Sequence, residues 1–135
     1  MSIGIGGLCR KVAEDATTVL YEYYSYNLNE EHLRNPDKIA DGSIFIRKSC
    51  LVEPEIHSKI KRMPSGKKML TEKRIVVEVN LSDCLLSGDV EIKNCSHAWR
   101  VNSEGIDEMA LRICRSLFEE YQKCGSLPDC CGFDS

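Results

Sequence analysis

The chain has 135 residues, of which 42% are hydrophobic and 29% charged, and its formal net charge is −3. This length fits one domain that can bury a core without covalent staples, and the composition excludes wholesale disorder. No apolar run approaches the roughly 20 residues that a membrane-spanning helix needs, so we expect no membrane association.

The N-terminal sequence predicts a cytoplasmic protein. Its first residues lack the basic flank and the long apolar block that are typical of an export signal. The eight cysteines are therefore expected to be free thiols, because disulfide frameworks form in oxidising compartments. Cysteine is among the most often buried residue types, so many of these side chains are expected to pack as small apolar groups.

The first part of the chain favours a β-hairpin. Residues 8–13 predict a short strand, residues 14–16 a turn, and residues 17–28 a long strand rich in Thr, Val and Tyr. The apolar positions in residues 8–28 also fit helical spacing, and periodicity alone does not exclude a helix there. The density of β-branched and aromatic residues makes the hairpin the preferred interpretation.

The middle of the chain predicts further strands separated by turns. Ile44 and Ile46 mark a second long strand that ends at Glu53–Pro54, since proline cannot donate to a sheet ladder. Residues 57–63 fit one helical turn, and residues 64–66 (Pro-Ser-Gly) form a turn.

Two more strands are predicted before the end of the chain. Residues 73–81 give the clearest strand pattern, with Ile75, Val77 and Val79 on one face. A turn at residues 87–89 leads into a strand that begins at Val90 and continues toward Trp99.

The C-terminal part of the chain predicts one amphipathic helix. Its apolar residues recur at helical spacing: Ile106, Met109, Ala110, Ile113, Cys114, Leu117, Phe118 and Tyr121. Ser103 is the predicted N-cap, and Gly125 is placed to end the helix. Because this stripe must be buried, we predict an α+β fold, a mostly antiparallel sheet of four to five strands packed against this helix. The predicted domain covers residues 1–125, followed by a Cys-rich tail at residues 126–135.

A basic segment in the middle of the chain is the first candidate site. Residues 41–75 contain nine Lys or Arg against four Asp or Glu, although the whole chain is acidic. Such clusters neutralise phosphates, so residues 47–74 are a candidate for binding nucleic acid or another polyanion. The candidate binding residues are Lys59, Lys61, Arg62, Lys67 and Lys68. A solvated loop is the alternative, because no aromatic residues are interleaved with these cations.

Four tyrosines form the second candidate site, a surface that binds a partner. On a strand, Tyr21 and Tyr23 share one face while Tyr24 and Tyr26 share the other. Two tyrosines per face are too few for a platform that stacks nucleic-acid bases. Tyrosine is enriched at protein interfaces, so these residues are candidate partner-binding residues. The alternative is that their rings pack on the core and leave the hydroxyls in water.

The cysteines near the C-terminus form a third candidate. Cys124, Cys130 and Cys131 are weak candidates for a metal or thiol-redox site, because the paired spacing of zinc knuckles is missing.

An acidic segment with a histidine is the weakest candidate. The residues Glu53, Glu55 and His57 would need to converge before they could act as an acid–base site.

The sequence therefore leaves the function open between three hypotheses. The first is a small non-enzymatic module that binds a protein partner or regulates one, since no phosphate cradle or nucleophile motif is present. The alternatives are polyanion binding through residues 47–74 and a thiol or metal function at the C-terminal cysteines. We assign no catalytic residue, expect no cofactor and leave the oligomeric state open.

Overall fold

The computed structural model describes residues 4–98 and 100–134, of Asp134 the backbone alone. Its strands are Ile5–Glu14 (β1), Thr18–Asn27 (β2), Gly42–Arg47 (β3), Glu55–Arg62 (β4), Lys68–Ile75 (β5), Val90–Lys93 (β6) and Cys130–Asp134 (β7). Its α-helices are Leu81–Ser87 (α1) and Glu108–Cys124 (α2). Five strands form one antiparallel sheet in the order β6-β3-β2-β1-β7, and β4 pairs only with β5. This architecture confirms the predicted α+β fold.

The sheet buries one face against the C-terminal helix. Along β2, buried and partly buried residues alternate, and the buried set includes Val19, Tyr21 and Tyr23. Alternation of this kind is typical of a strand with one face on the core. The predicted hairpin over residues 8–28 is therefore correct, and the helix alternative is wrong.

The helix α2 contributes the largest part of the core. Its fully or almost fully buried apolar residues are Met109, Ala110, Ile113, Cys114, Leu117 and Phe118. Each large apolar side chain buried in this way stabilises the fold by roughly 1.5–3 kcal/mol. The predicted amphipathic helix is confirmed.

Both ends of α2 are fixed by specific residues. Asp107, and not the predicted Ser103, caps the N-terminus, because its Oδ1 accepts a hydrogen bond from the Met109 N–H at 3.0 Å. Its Oδ2 accepts a second one from the Tyr23 hydroxyl at 2.9 Å. Burial raises the pKa of the Asp107 carboxyl. At the other end Gly125 has a φ of +81°, the left-handed conformation that glycine adopts most readily.

The turn between β1 and β2 is organised by one carboxylate. Asp15 Oδ1 accepts hydrogen bonds from the backbone N–H groups of Thr17 at 2.8 Å and Thr18 at 2.7 Å. These bonds lower the pKa of the Asp15 carboxyl from 3.8 to about 2. A carboxyl whose pKa is lowered by folding stabilises the fold at pH values above its ordinary pKa. This contribution is lost as the pH falls through the lowered pKa.

We therefore expect an Asp15→Ala variant to show a pH-dependent loss of stability. At neutral pH the variant unfolds at a lower urea concentration than the wild type, because two backbone donors have lost their acceptor. The difference shrinks as the pH falls from 3.8 toward 2, where the wild-type carboxyl also becomes protonated. Urea unfolding at a series of pH values measures this effect. A difference that stays constant over that range would contradict the role given to the Asp15 carboxylate.

The C-terminal tail belongs to the sheet. Its last residues form β7, which pairs with β1 and sets Cys131 opposite Cys9. The loop before β7 is anchored as well, because the Lys11 N–H donates to the Asp129 carbonyl at 2.7 Å. Residues 130–134 of the predicted Cys-rich tail therefore belong to the main sheet.

Two predicted elements in the middle of the chain are wrong. Residues 57–63 do not form a helical turn but lie in β4 and its turn. The strand predicted at residues 73–81 stops at Ile75, and residues 81–87 form α1, which the pattern did not indicate. Glu55 pairs with Ile75, so Pro54 would stand opposite Val76 if the ladder continued. The ladder ends at the pair of Glu55 and Ile75.

Two other strands are shorter than predicted. β3 ends at Arg47, before Pro54, because a 3-10 turn follows at Lys48–Cys50. β6 begins at Val90 as predicted but ends at Lys93. The predicted continuation toward Trp99 reaches a position outside the described residues.

None of the helices in the described part of the chain combines the length and apolar character needed to cross a bilayer.

Candidate functional site

The strands β4 and β5 form a two-stranded ribbon that stands apart from the main sheet. It comprises Glu55–Ile75, and each strand has eight residues, about 27 Å at 3.4 Å per residue. The turn at its tip is closed by a hydrogen bond from the Met63 N–H to the Lys67 carbonyl at 2.7 Å, and Gly66 has a φ of +86°. The predicted turn at residues 64–66 is confirmed. Apart from the partly buried Thr71, every residue of the ribbon is exposed.

The cross-strand register gives the ribbon two different faces. On one face Ile60 stands opposite Leu70, and Ile56 lies four residues further toward the base, opposite Arg74. These three side chains, the apolar face, are 66%, 61% and 56% exposed. The other face carries Lys59, Lys61 and Lys73 together with His57 opposite Lys73, and we refer to it as the basic face.

The ribbon also concentrates positive charge. Residues 55–75 contain seven Lys or Arg against two Glu. Across the described residues, none of these seven cations takes part in an ion pair, and the one ion pair within the ribbon joins His57 to Glu55 at 3.2 Å. Arg74 instead donates to the carbonyls of Gln122 and Lys123 at the C-terminal end of α2, where cations are favoured.

The structure places all five predicted polyanion-binding residues on the ribbon. Lys59 and Lys61 lie on the basic face, while Arg62 and Lys68 pair with each other at the outer end of the apolar face. Lys67 lies in the turn between the strands. The cations therefore surround the tip of the ribbon and do not form a single flat patch. A partner that inserts the tip into a concave acidic surface would contact all of them.

The structure removes two of the four tyrosines from the predicted partner-binding surface. Tyr21 and Tyr23 are completely buried against α2. Their hydroxyls donate to the Pro128 carbonyl at 2.7 Å and to Asp107 Oδ2 at 2.9 Å, so these hydroxyls are not in water. Burial raises the pKa of both hydroxyls.

The other two tyrosines lie on the uncovered face of the main sheet. The rings of Tyr24 and Tyr26 are 6.5 Å apart, and together with Leu8 and Gly132 they line a shallow cavity of about 270 Å³. Tyr26 lies over Gly6, where an added Cβ would come within 2.4 Å of the tyrosine oxygen.

In the part of the chain that the structure describes, no group of three His, Cys, Asp or Glu side chains is placed to hold a metal ion. Cys124 and Cys130 are exposed, and Cys131 is partly buried, which raises the pKa of its thiol.

The structure joins none of the eight cysteines in a disulfide. Burial raises the pKa of Cys9 to about 12, that of Cys50 to about 12 and that of Cys95 to about 11. At neutral pH these thiols are protonated, and protonated thiols are poor nucleophiles and metal ligands.

The predicted acid–base residues do not converge either. Glu53 accepts a hydrogen bond from the Tyr121 hydroxyl of α2 at 2.5 Å. Glu55 and His57 lie two residues apart on the exposed basic face of the ribbon, and the His57 Nε2 is 3.2 Å from the Glu55 Oε2. An acid–base site requires groups that point at a common, enclosed position, and these residues do not.

A groove at the base of the ribbon was not predicted from the sequence. Residues 76–79 run beside α2, and the space between them is a cavity of about 340 Å³. Its apolar lining includes Val77, Val79, Leu81 and Phe118. The sequence contains the signal for this segment, since Val-Val-Glu-Val has strand character, but it does not show that the segment lacks a strand partner.

Comparison with known proteins gives no identification, since no family model, no curated protein and no solved structure matches the chain. The function is therefore argued from the geometry of these surfaces.

Proposed function

We propose that the chain is a non-enzymatic module that binds an acidic protein partner through the β4–β5 ribbon. One observation supports this more than any other. The ribbon exposes an apolar face and seven cations at once, and none of those cations is in an ion pair with a described residue. A protein surface with an apolar centre and an acidic rim complements both features.

The exposed apolar face is the stronger part of the argument. Ile60 and Leu70 form a cross-strand pair that is open to solvent. Covering such side chains is favourable by about 25 cal/mol per Å² of apolar surface removed from water. An isolated two-stranded hairpin is only marginally stable in water, so a partner that packs on this face also stabilises the ribbon.

The cations contribute mainly to the rate and selectivity of the encounter. Charges exposed at the rim of an interface steer an oppositely charged partner and disfavour like-charged ones. Arg62, Lys67 and Lys68 occupy the tip, the part of the ribbon that meets a partner first. Eight free thiols fit the reducing conditions of the cytoplasm, where we propose that the module acts.

Nucleic-acid binding is the second candidate, and the shape of the ribbon favours it. A two-stranded β-ribbon fits the major groove of B-DNA, and Lys59 and Lys61 lie on its basic face. Phosphate contacts do not require the apolar face, however, so this function leaves Ile56, Ile60 and Leu70 without a role. The two candidates therefore respond differently to substitutions on the two faces.

The proposal is tested by using the purified protein to capture its partner from a lysate of the source cell. Two double variants and one single control variant are compared with the wild type. Ile60→Thr/Leu70→Thr removes the apolar face, and Lys59→Thr/Lys61→Thr removes two cations, while threonine keeps strand propensity in both. Val12→Thr is the matched control, since Val12 is 55% exposed on β1, away from the ribbon. We expect the wild type and the control to retain a protein partner even after nuclease treatment of the lysate. Both ribbon variants are expected to lose that partner.

The other results decide between the candidates. Capture that disappears on nuclease treatment, and that the Ile60→Thr/Leu70→Thr variant retains, would replace the proposal with nucleic-acid binding. In that case binding to DNA also falls steeply with salt. Equal capture of one protein by the wild type and all three variants would exclude the ribbon as the binding element.

A further inference from the structure

The tip of the ribbon holds an exposed serine hydroxyl. Ser65 lies in the turn between β4 and β5, where the Gly66 N–H donates to the Met63 carbonyl at 2.9 Å. Within the part of the chain that the structure describes, the Ser65 hydroxyl takes part in no hydrogen bond. Because residues 62–68 are all exposed, a second protein can reach this hydroxyl without displacing any buried side chain.

An arginine stands three positions before this serine. Residues 62–65 read Arg-Met-Pro-Ser, and Lys59 and Lys61 extend the run of cations on the same side. Arg62 is exposed and forms no ion pair with a described residue. Protein kinases select substrates by the charges around the hydroxyl. An arginine at this spacing fits a kinase with an acidic cleft, because a guanidinium group pairs with a carboxylate through two hydrogen bonds.

A second serine follows an arginine at the same spacing, but its surroundings differ. Arg100 precedes Ser103 by three positions, and its Nε lies 3.7 Å from Glu108 Oε2. Glu104 directly follows this serine. The Asn102 side chain fixes the loop, since it accepts two backbone hydrogen bonds at 2.9 and 3.0 Å. An acidic cleft is repelled by these carboxylates, so Ser103 serves as a matched control.

The turn that holds Ser65 also opens at a small cost. A substrate segment must leave its folded conformation before it fits an enclosed catalytic cleft. Two backbone hydrogen bonds, at 2.7 and 2.9 Å, close this turn, and no residue of the ribbon belongs to the described core. A two-stranded hairpin is only marginally stable in water, so local opening at the tip leaves the rest of the fold intact.

We propose that Ser65 is a phosphorylation site for a serine kinase that recognises Arg62, and that the phosphate releases the acidic partner of the ribbon. The Ser65 oxygen forms a bond to the γ-phosphorus of a nucleoside triphosphate, and the bond from that phosphorus to the β–γ bridging oxygen breaks. The hydroxyl proton passes to a carboxylate of the kinase, and the nucleoside diphosphate leaves with the electron pair of the broken bond. This inference rests on the proposed function, because it adds regulation to the same ribbon.

The phosphate changes the charge that the tip presents. The ribbon has seven Lys or Arg against two Glu, an excess of five positive charges. Phosphoserine carries a charge of about −1.5 to −2 at pH 7, and its oxygens form strong hydrogen bonds with basic side chains. Arg62, Lys67 and Lys68 all lie within three positions of Ser65. The phosphate therefore neutralises the cations that meet the partner first, and it repels the acidic rim of the partner.

Labelling in a lysate of the source cell tests the modification site. Wild type and variants are incubated with the lysate, phosphatase inhibitors and ATP labelled at the γ-phosphate, and the labelled residue is located by mass spectrometry. We expect label at Ser65, none at this position in Ser65→Ala, and an unchanged amount in Ser103→Ala. Arg62→Gln is expected to lower the labelling by about tenfold. A wild type without label, label that Ser65→Ala retains in full, or label that does not depend on Arg62 would overturn the inference.

The capture experiment described above tests the effect of the charge on binding. Ser65→Glu adds a negative charge at the tip, and Ser65→Gln has nearly the same size without the charge. We expect Ser65→Gln to retain the partner as the wild type does, and Ser65→Glu to lose it. Label at Ser65 together with equal retention by these two variants would overturn the inference and leave the proposed function intact. A wild type that is labelled at Ser65 but captures no protein would instead end the proposed function and confirm the modification site alone.

Discussion

Replacing Leu117 with alanine is expected to lower the free energy of unfolding by about 2–5 kcal/mol. Leu117 is completely buried in the core between α2 and the sheet. The substitution removes apolar contacts and leaves a cavity that the surrounding side chains fill only in part. Urea unfolding followed by circular dichroism measures the change.

The same substitution at an exposed position is the matched control. Leu86 lies in α1 and is 85% exposed, so Leu86→Ala is expected to change the stability by no more than about 0.5 kcal/mol. A similar loss of unfolding free energy in the two variants would contradict the burial of Leu117 in the core, because an exposed and a buried leucine would then contribute equally to stability.

Replacing Asp107 with alanine is expected to cost about 1.5–5 kcal/mol, the sum of two effects. The lost N-cap of α2 accounts for about 0.5–2 kcal/mol. The buried Tyr23 hydroxyl also loses its acceptor, and an unsatisfied buried donor costs about 1–3 kcal/mol. Thermal and urea unfolding both measure this loss.

An exposed aspartate near the start of the other helix is the control for this second variant. Asp83 lies in the first turn of α1, and its side chain is exposed. Asp83→Ala is expected to remove only the interaction with the helix dipole, about 0.3–1 kcal/mol. If Asp107→Ala costs no more than Asp83→Ala, the buried link between α2 and β2 does not stabilise the fold as described.

The parts of the fold that follow from local patterns could be predicted. The three-and-four spacing of apolar residues specified α2, and the density of Thr, Val and Tyr specified β2. The C-terminal end of α2 could also be predicted from one residue, because Gly125 supplies the left-handed conformation there.

The parts that depend on distant residues could not be predicted. Residues 76–79 have the composition of a strand, but the ladder with β4 ends at Glu55 and Ile75, and the Val77 main chain bonds instead to the Gln122 side chain, 45 positions later. The last strand, β7, has little strand propensity of its own and is ordered by pairing with β1. The N-cap was missed for a related reason, because Asp107 is fixed by both Met109 and Tyr23.

The candidate site divides in the same way. The count of Lys and Arg indicated a cationic element, and every predicted cation is exposed as expected. The side chains that share a face with Ile60 are set by its cross-strand pairing with Leu70. The sequence predicted a helical turn at residues 57–63, so it could not give this pairing. The groove depends on residues 76–79 meeting Phe118 and Gln122, about forty positions later, and no local pattern encodes that contact.

Removal of the ribbon tests the central claim, that this element alone carries the binding, most directly. Glu55 and Ile75 are paired across the base, so an Asn-Gly turn can replace residues 56–74. No residue of the ribbon belongs to the described core, so we expect the shortened chain to unfold at nearly the same urea concentration as the wild type. We predict that the shortened protein is folded and no longer retains the partner of the wild type. A folded, shortened protein that retains the same partner would contradict the account.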